Sequence, residues 1–271
     1  MVGFRHCVRA LGGVVIGAAT AAQQWECQAA QIELELPEND SPYNRTWGTK
    51  WCYGWDNPGE RGLPTDTKKG QRQIIMIRHG QYQNEDSSDD SIRTLTDLGK
   101  QQAHLTGKWL KENMGASSLF TTDKVQHFYV SNMARAKETA DIILEELNQP
   151  NVKVTEDAIL RERFPCDVSP PYPKKASESS MKVAEQAFEK YFHRPRHSGM
   201  RSTEFMVGHA NMIRYFVCRS LQLPPEAWLR ISLAHCSLTS IQINGEGTVK
   251  INMLGSCGHL PGEMHTTRNL P

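Results

Sequence analysis

Between residues 73 and 254 short apolar runs alternate with longer amphipathic stretches, and this alternation limits the fold more than any other feature of the chain. Residues 73–77 read Gln-Ile-Ile-Met-Ile, a continuous apolar run that predicts a strand buried on both faces. Residues 127–131 and 203–208 repeat the pattern, and residues 152–154 offer a short further strand. A helix is predicted from Thr96 or Asp97 to about Met114, carrying Leu98, Ala103, Leu105, Trp109 and Leu110 and stopped by Gly115. Further helical periodicities cover 134–147, 180–193 and 211–221. Residues 238–243 and 249–254 flank Asn244-Gly245-Glu246-Gly247 as a hairpin. Strands alternating with helices predict an α/β fold: a three-layer α/β/α sandwich around a mainly parallel sheet with an antiparallel edge. In such sheets ligands bind beyond the carboxyl ends of the strands.

The segment 73–260 is therefore expected to be the domain, with 261–271 a tail. Apolar residues make up 38% of the 271-residue chain and charged residues 23%, enough for a real core. The 31 basic residues nearly match the 30 acidic ones, for a formal charge of +1. That balance argues against nucleic acid as a partner. Seven cysteines, none in Cys-x-x-Cys spacing, are expected to be reduced thiols.

Residues 1–25 pose a targeting question. Arg5 and Arg9 precede an uncharged run at 10–22, shorter than the roughly 20 apolar residues of a full span. A signal peptide, a short membrane anchor and a buried helix all compete, and an anchor with targeting function is the preferred reading. Residues 26–72 resemble a linker, broken by Trp47, Trp51, Tyr53 and Trp55. These aromatics either pack on the domain or serve self-association.

The candidate chemistry lies at strand ends. The strand ending at Ile77 runs into Arg78-His79-Gly80, and a neutral imidazole there is placed to attack phosphorus. The strand ending at Ser131 leads to Arg135 at a helix start, where a cation makes sense if an anion binds against it. The strand ending at Val207 leads to Gly208-His209, and Leu160-Arg161-Glu162 follows the short third strand. Glu162 is a candidate proton donor to a leaving alkoxide. Taken singly, each residue reads equally as a solvated surface side chain.

Taken together, Arg78-His79-Gly80, residues 131–139 around Arg135, Leu160-Arg161-Glu162 and Gly208-His209 resemble the histidine phosphatase, or phosphoglycerate mutase-like, superfamily. The resemblance is nearest to its mitochondrial serine/threonine protein phosphatases, through stretches such as residues 78–82, 93–96, 209–215 and 223–230. It implies phosphohistidine at His79, phosphoryl oxygens held by Arg78, Arg135 and His209, and a proton donor in Glu162. The arginines would supply the charge stabilisation, so no metal or cofactor is implied. It also implies phosphoprotein substrates, among them a stress-activated MAP kinase kinase kinase. A mitochondrial membrane location, expected to be the outer membrane, and a homo-oligomer complete the implied picture. The assembly motif of that group is Trp-Asp-x-x-Trp-Asp; here Trp51, Trp55 and Asp56 are kept and Cys52 replaces the first aspartate.

Arg163 stands where the family usually has glycine, and is expected to lower the Glu162 pKa or to obstruct the pocket. The proline-rich loop 165–173 is expected to wall that pocket. Without a long basic insertion to hold a bisphosphorylated sugar acid, a phosphatase is favoured over a mutase. From another class, a phosphatase-like scaffold that binds kinases or other phosphoproteins without turnover is the alternative.

Overall fold

The run at 73–77 becomes the centre of β1 (Gln71–Arg78), and its side chains divide between two cores. Ile74 and Met76 point into one apolar cluster, Ile75 and Ile77 into the other. That division is why the run carries no polar interruption. In the computed structural model, which describes residues 51–57, 69–115, 119–122 and 124–267, β1 belongs to a six-stranded sheet. The sheet adds β2 (Val125–Ser131), β3 (Lys153–Asp157), β4 (Arg201–Gly208), β5 (Leu238–Asn244) and β6 (Val249–Ser256). The order is β3-β2-β4-β1-β5-β6, with β3, β2, β4 and β1 parallel and β5 and β6 antiparallel.

Four helices complete the sandwich: α1 (Asp97–Asn113), α2 (Ala134–Leu147), α3 (Glu178–Tyr191) and α4 (Ala210–Ser220). Helices α1 and α2 bury Ala103, Leu110, Ala136, Ala140 and Ile143 on the Ile75/Ile77 face. Helices α3 and α4 bury Ala184, Phe188, Tyr191, Ile213 and Phe216 on the other. Local signals set the ends. The Thr96 hydroxyl accepts from Gly99 N at the start of α1, Ser177 does the same for Ser180 N at α3, and Asn148 closes α2 in the left-handed conformation. The connection leaving β1 runs towards β2, whereas that leaving β4 passes to β5 on the opposite side of β1. The two diverge and leave a crevice at the carboxyl ends of β1 and β4.

Residues 51–57 dock on this body. The indole N–H groups of Trp51 and Trp55 both donate to Gly247 O, at 3.2 and 2.8 Å, and the Trp55 ring lies 5.9 Å from that of Phe188. Gly247 has φ +89° and a Cβ there would fall 2.7 Å from Tyr53 O, so the turn that accepts the indoles needs glycine. The Gln222 side-chain amide brackets Cys52 through its backbone alone. Asp56 is buried in a bidentate pair with Arg194. The side chains offered for assembly, Trp51, Trp55 and Asp56, are thus engaged within the chain itself.

Strand β1 begins at Gln71, two residues before the predicted run, and residues up to Thr266 are tied to the body by hydrogen bonds. His235 N donates to Thr266 O, and Gln102 Nε2 to Met264 O and Thr266 Oγ1. The five described cysteines are free thiols. No helix among the described residues is long and apolar enough to cross a membrane, and the expected anchor at 1–25 lies outside them.

Arg194 and Asp56 are both almost fully enclosed, so removing the carboxylate strands a buried cation. Asp56→Ala is expected to cost about 3 kcal/mol and to lower the denaturant midpoint at an unchanged slope. An unaltered midpoint would show that residues 51–57 do not stabilise the domain.

Candidate active site

His79 follows the last residue of β1, and its backbone N–H bonds to Gly208 O of the neighbouring strand at 3.0 Å. The chain then turns away at Gly80, where a Cβ would meet Gly99 O at 2.6 Å. Helix α1 can therefore approach only a glycine. Gly80 N donates to Thr139 Oγ1, which ties the turn to α2.

The tautomer of His79 follows from its partners. Nδ1 lies 2.8 Å from Gly80 O, which can only accept, so Nδ1 carries the proton. Arg135 Nε, which can only donate, lies 3.2 Å from Nε2. Nε2 is thus unprotonated, its lone pair accepting from the Arg135 guanidinium. Burial, then the charges of Arg135 and Arg78 and the neighbouring His209, hold the His79 pKa well below the usual imidazole range. The ring is neutral at physiological pH, as a nucleophile requires.

Arg135 sits in the first turn of α2, 2% exposed, between Asp90 Oδ1 at 3.4 Å and the face of Tyr82 at 4.7 Å. Arg78 is oriented by two acceptors, Leu233 O at 2.6 Å and His235 Nε2 at 3.0 Å. Burial brings its pKa down to about 10, which leaves it charged near neutrality. His209 precedes the first residue of α4, fully buried, with Nε2 2.8 Å from Ser131 Oγ and its ring 5.1 Å from that of His79. Its pKa is likewise pushed far down by burial and then by Arg135 and Arg78.

Glu162 follows the short 3-10 turn Ala158–Leu160, and its Oε1 accepts from Asn211 N at 3.3 Å. Burial raises its pKa against the pull of Arg135 and Arg78. Arg163 does not line the cavity, which corrects the expectation that it obstructs it, although its charge still acts on Glu162. Its guanidinium instead donates to the carbonyls of Arg161 and Ile159, at 3.3 and 3.4 Å. The net effect on Glu162 is upward because enclosure outweighs the surrounding cations.

Arg78, His79, Arg135 and Glu162 line one cavity of about 670 Å³. His209 stands one step behind it, against His79. The expected wall is also corrected. Loop 165–173 packs behind the turn Pro225–Arg230, through Trp228 Nε1 to Cys166 O, Ser169 N to Glu226 O and Arg230 Nε to Ser169 O. Residues 229–233 form the wall instead. Among the described residues, eight buried side-chain polar atoms lack a partner, and five belong here: Arg78 Nε, Arg93 Nε, Glu162 Oε2, His209 Nδ1 and Arg214 Nε. Such clustering marks a place built for a polar ligand.

Sequence reasoning missed Tyr82, Arg93, Arg214, His235 and Thr267. All but His235 line the cavity, and the His235 ring lies 5.5 Å from that of His79. His235 precedes Cys236, a non-glycine residue at φ +54° whose N–H bonds to Arg78 O. Because Arg78 donates to Nε2, His235 holds its proton on Nδ1 and gives it to Thr266 Oγ1 at 2.9 Å. Burial and Arg78 lower its pKa to about 3, so it remains an acceptor for Arg78. No periodicity announces such a residue; only the fold brings it to Arg78.

Residues 74–204 and 166–253 match the histidine phosphatase superfamily (branch 1), and the chain belongs to that superfamily. It is 44% identical over 224 residues to "Serine/threonine-protein phosphatase Pgam5, mitochondrial" of Drosophila grimshawi, covering 79% of this chain and 74% of that protein. With the protein of the same name from Drosophila yakuba it shares 43% over 250 residues, covering 90% of this chain and 80% of that protein. Among solved structures it is similar to a phosphoglycerate mutase from Plasmodium falciparum. That likeness has a TM-score of 0.50 and 33% identity, and covers 73% of this chain and 99% of that one.

If His235 serves to set the Arg78 guanidinium, His235→Ala is expected to weaken binding of inorganic phosphate roughly tenfold, the scale of one hydrogen bond to a charged group. His235→Asn, which keeps an acceptor, should recover most of the loss. Titration calorimetry reads both; equal affinities in all three proteins would remove His235 from the site.

Proposed function

We propose that this chain is a serine/threonine protein phosphatase that works through a phosphohistidine on His79, held at a mitochondrial membrane by its N-terminal segment. The observation that carries the chemistry is the unprotonated Nε2 of a neutral, buried His79, turned to the guanidinium of Arg135 at the edge of the cavity and close to Arg78. The protein-substrate and mitochondrial parts rest on the names of the relatives; the membrane part rests on the apolar run at 10–22.

In the first step His79 Nε2 attacks phosphorus and the bond to the serine or threonine oxygen breaks. Arg78 and Arg135 neutralise the equatorial oxygens. His209, whose Nδ1 has no other partner, meets a phosphoryl oxygen from behind. Glu162, whose burial favours the protonated form, gives its proton to the departing alkoxide. In the second step Glu162 takes a proton from water, which attacks the phosphohistidine and releases phosphate. Splitting the reaction replaces one very slow displacement with two easier ones.

His79→Ala should abolish turnover of an aryl phosphate and of a phosphopeptide, together with the acid-labile, base-stable phosphoenzyme. Retention of a phosphoenzyme in that variant would exclude His79 as the nucleophile. The pH dependence follows from Glu162. Its protonated form is the acid, so kcat/KM should be high at the acidic side and fall as pH rises through the raised pKa. His79 adds no limb near neutrality, because its depressed pKa keeps it deprotonated. Glu162→Gln should lower kcat by about 10²-fold or more and flatten that alkaline limb; an unchanged limb would assign it to another group.

A further inference from the structure

Five arginines line the cavity, and one phosphoryl group at His79 accounts for two of them, Arg78 and Arg135. Arg93, Arg214 and Arg230 line the rest. Each guanidinium carries five N–H donors. Yet Arg93 gives one to Tyr82 Oη at 3.1 Å, Arg214 one to Asn211 Oδ1 at 3.2 Å and Arg230 one to Ser169 O at 2.9 Å. None of the three is in a salt bridge among the described residues. The Nε atoms of Arg93 and Arg214 are buried without a partner.

The surroundings do not neutralise this charge. Glu162 is the one acidic residue lining the cavity, and its single carboxyl faces Arg78, Arg135 and Arg214 together, one group against five guanidinium groups. Asp90 is taken by Arg135 and by Ala134 N, and Glu85 acts on Arg78. His79 and the two histidines beside it, His209 and His235, have depressed pKa values and carry no charge of either sign near neutrality. A volume of about 670 Å³ suits a multi-atom ligand rather than a lone phosphoryl group. Arg93 lies over the Tyr82 ring at 5.3 Å, Arg214 stands beyond Asn211 on α4, and Arg230 belongs to the wall. The cations therefore flank the nucleophile from three different elements.

We propose that Arg93, Arg214 and Arg230 form a second anion subsite, which selects substrates carrying another negative group beside the scissile phosphate. The inference rests on the phosphatase reading above and narrows its substrate class. The second group is an acidic side chain or a second phosphoryl; both offer oxygens that suit a guanidinium fork.

The test uses the full chain and four phosphoserine peptides of equal length, flanked by neutral residues, by aspartates, by lysines, or by a second phosphoserine, with an aryl phosphate as reference. The acidic and doubly phosphorylated peptides are expected to exceed the neutral one at least tenfold in kcat/KM, and the lysine peptide to fall below it. Comparing aspartate with phosphoserine flanks separates the two sources of charge. The preference should shrink as salt rises. In Arg93→Gln, Arg214→Gln and Arg230→Gln, made singly, the acidic-to-neutral ratio should drop towards one, whatever happens to the absolute rate. Equal rates on all four peptides, or a ratio untouched by any substitution, would overturn the subsite while leaving the phosphatase reading intact. Absence of turnover on every substrate would overturn the phosphatase reading instead. Fluorescence anisotropy of the same peptides then still decides the subsite: tighter binding of the acidic peptides supports it, and equal binding rejects it.

Discussion

The hydrogen bond from His79 Nδ1 to the carbonyl of the next residue, Gly80, governs the chemistry of the whole cleft. It spends the imidazole's one proton on a backbone acceptor and so leaves Nε2 as a lone pair. Its acceptor, Gly80, has to be a glycine because α1 passes within contact of it. Each other feature of the site serves or exploits this state. Burial keeps the ring neutral, Arg135 approaches the lone pair, and Thr139 holds the turn from the neighbouring helix.

Buried arginines are costly to maintain, and here backbone and neutral side chains hold them rather than carboxylates. Arg78 rests on a carbonyl and on a neutral histidine. Only a distant 3.4 Å contact joins Arg135 to Asp90. A strong carboxylate partner would stabilise each arginine but would also compete with a phosphoryl group for its donors. The structural ion pairs elsewhere, Arg72–Glu204, Arg219–Glu185 and Arg194–Asp56, are short and close, and each occupies its guanidinium. That contrast separates arginines that hold the fold from arginines left open to a ligand.

The body is also drawn together from its two ends. Residues 51–57 clamp the β5–β6 turn and Arg194, on the side where Trp55 joins the α3 core. At the other end, Thr266 accepts from His235 and Gln102, linking the last described residues to Arg78. The order of the surroundings of His79 thus depends on chain segments far from it in sequence.

The alternation of apolar runs and helical periodicity was enough to assign the strands, the helices and the sandwich, because burial on both faces of a parallel strand removes polar residues from it. It was also enough to set Arg78, His79, Arg135, Glu162 and His209 at strand ends, since strand, turn and helix signals are local. Their meeting was inferred only by resemblance, and the details came from the tertiary structure. Arg163 was adjacent to Glu162 in sequence yet turns to backbone carbonyls, and loop 165–173 proved to be the support of a wall formed by 229–233. His235, Arg93 and Arg214 left no periodic signal, because one side chain in a turn or on a helix reads as solvated until a neighbour is known. The sequence by itself determined which elements form and where His79 sits, through short-range steric and hydrophobic rules. Only the tertiary structure decided the proton's position on His79, the raised pKa of Glu162 and the unpaired arginines around them, because these depend on groups tens to hundreds of residues apart being excluded together from water.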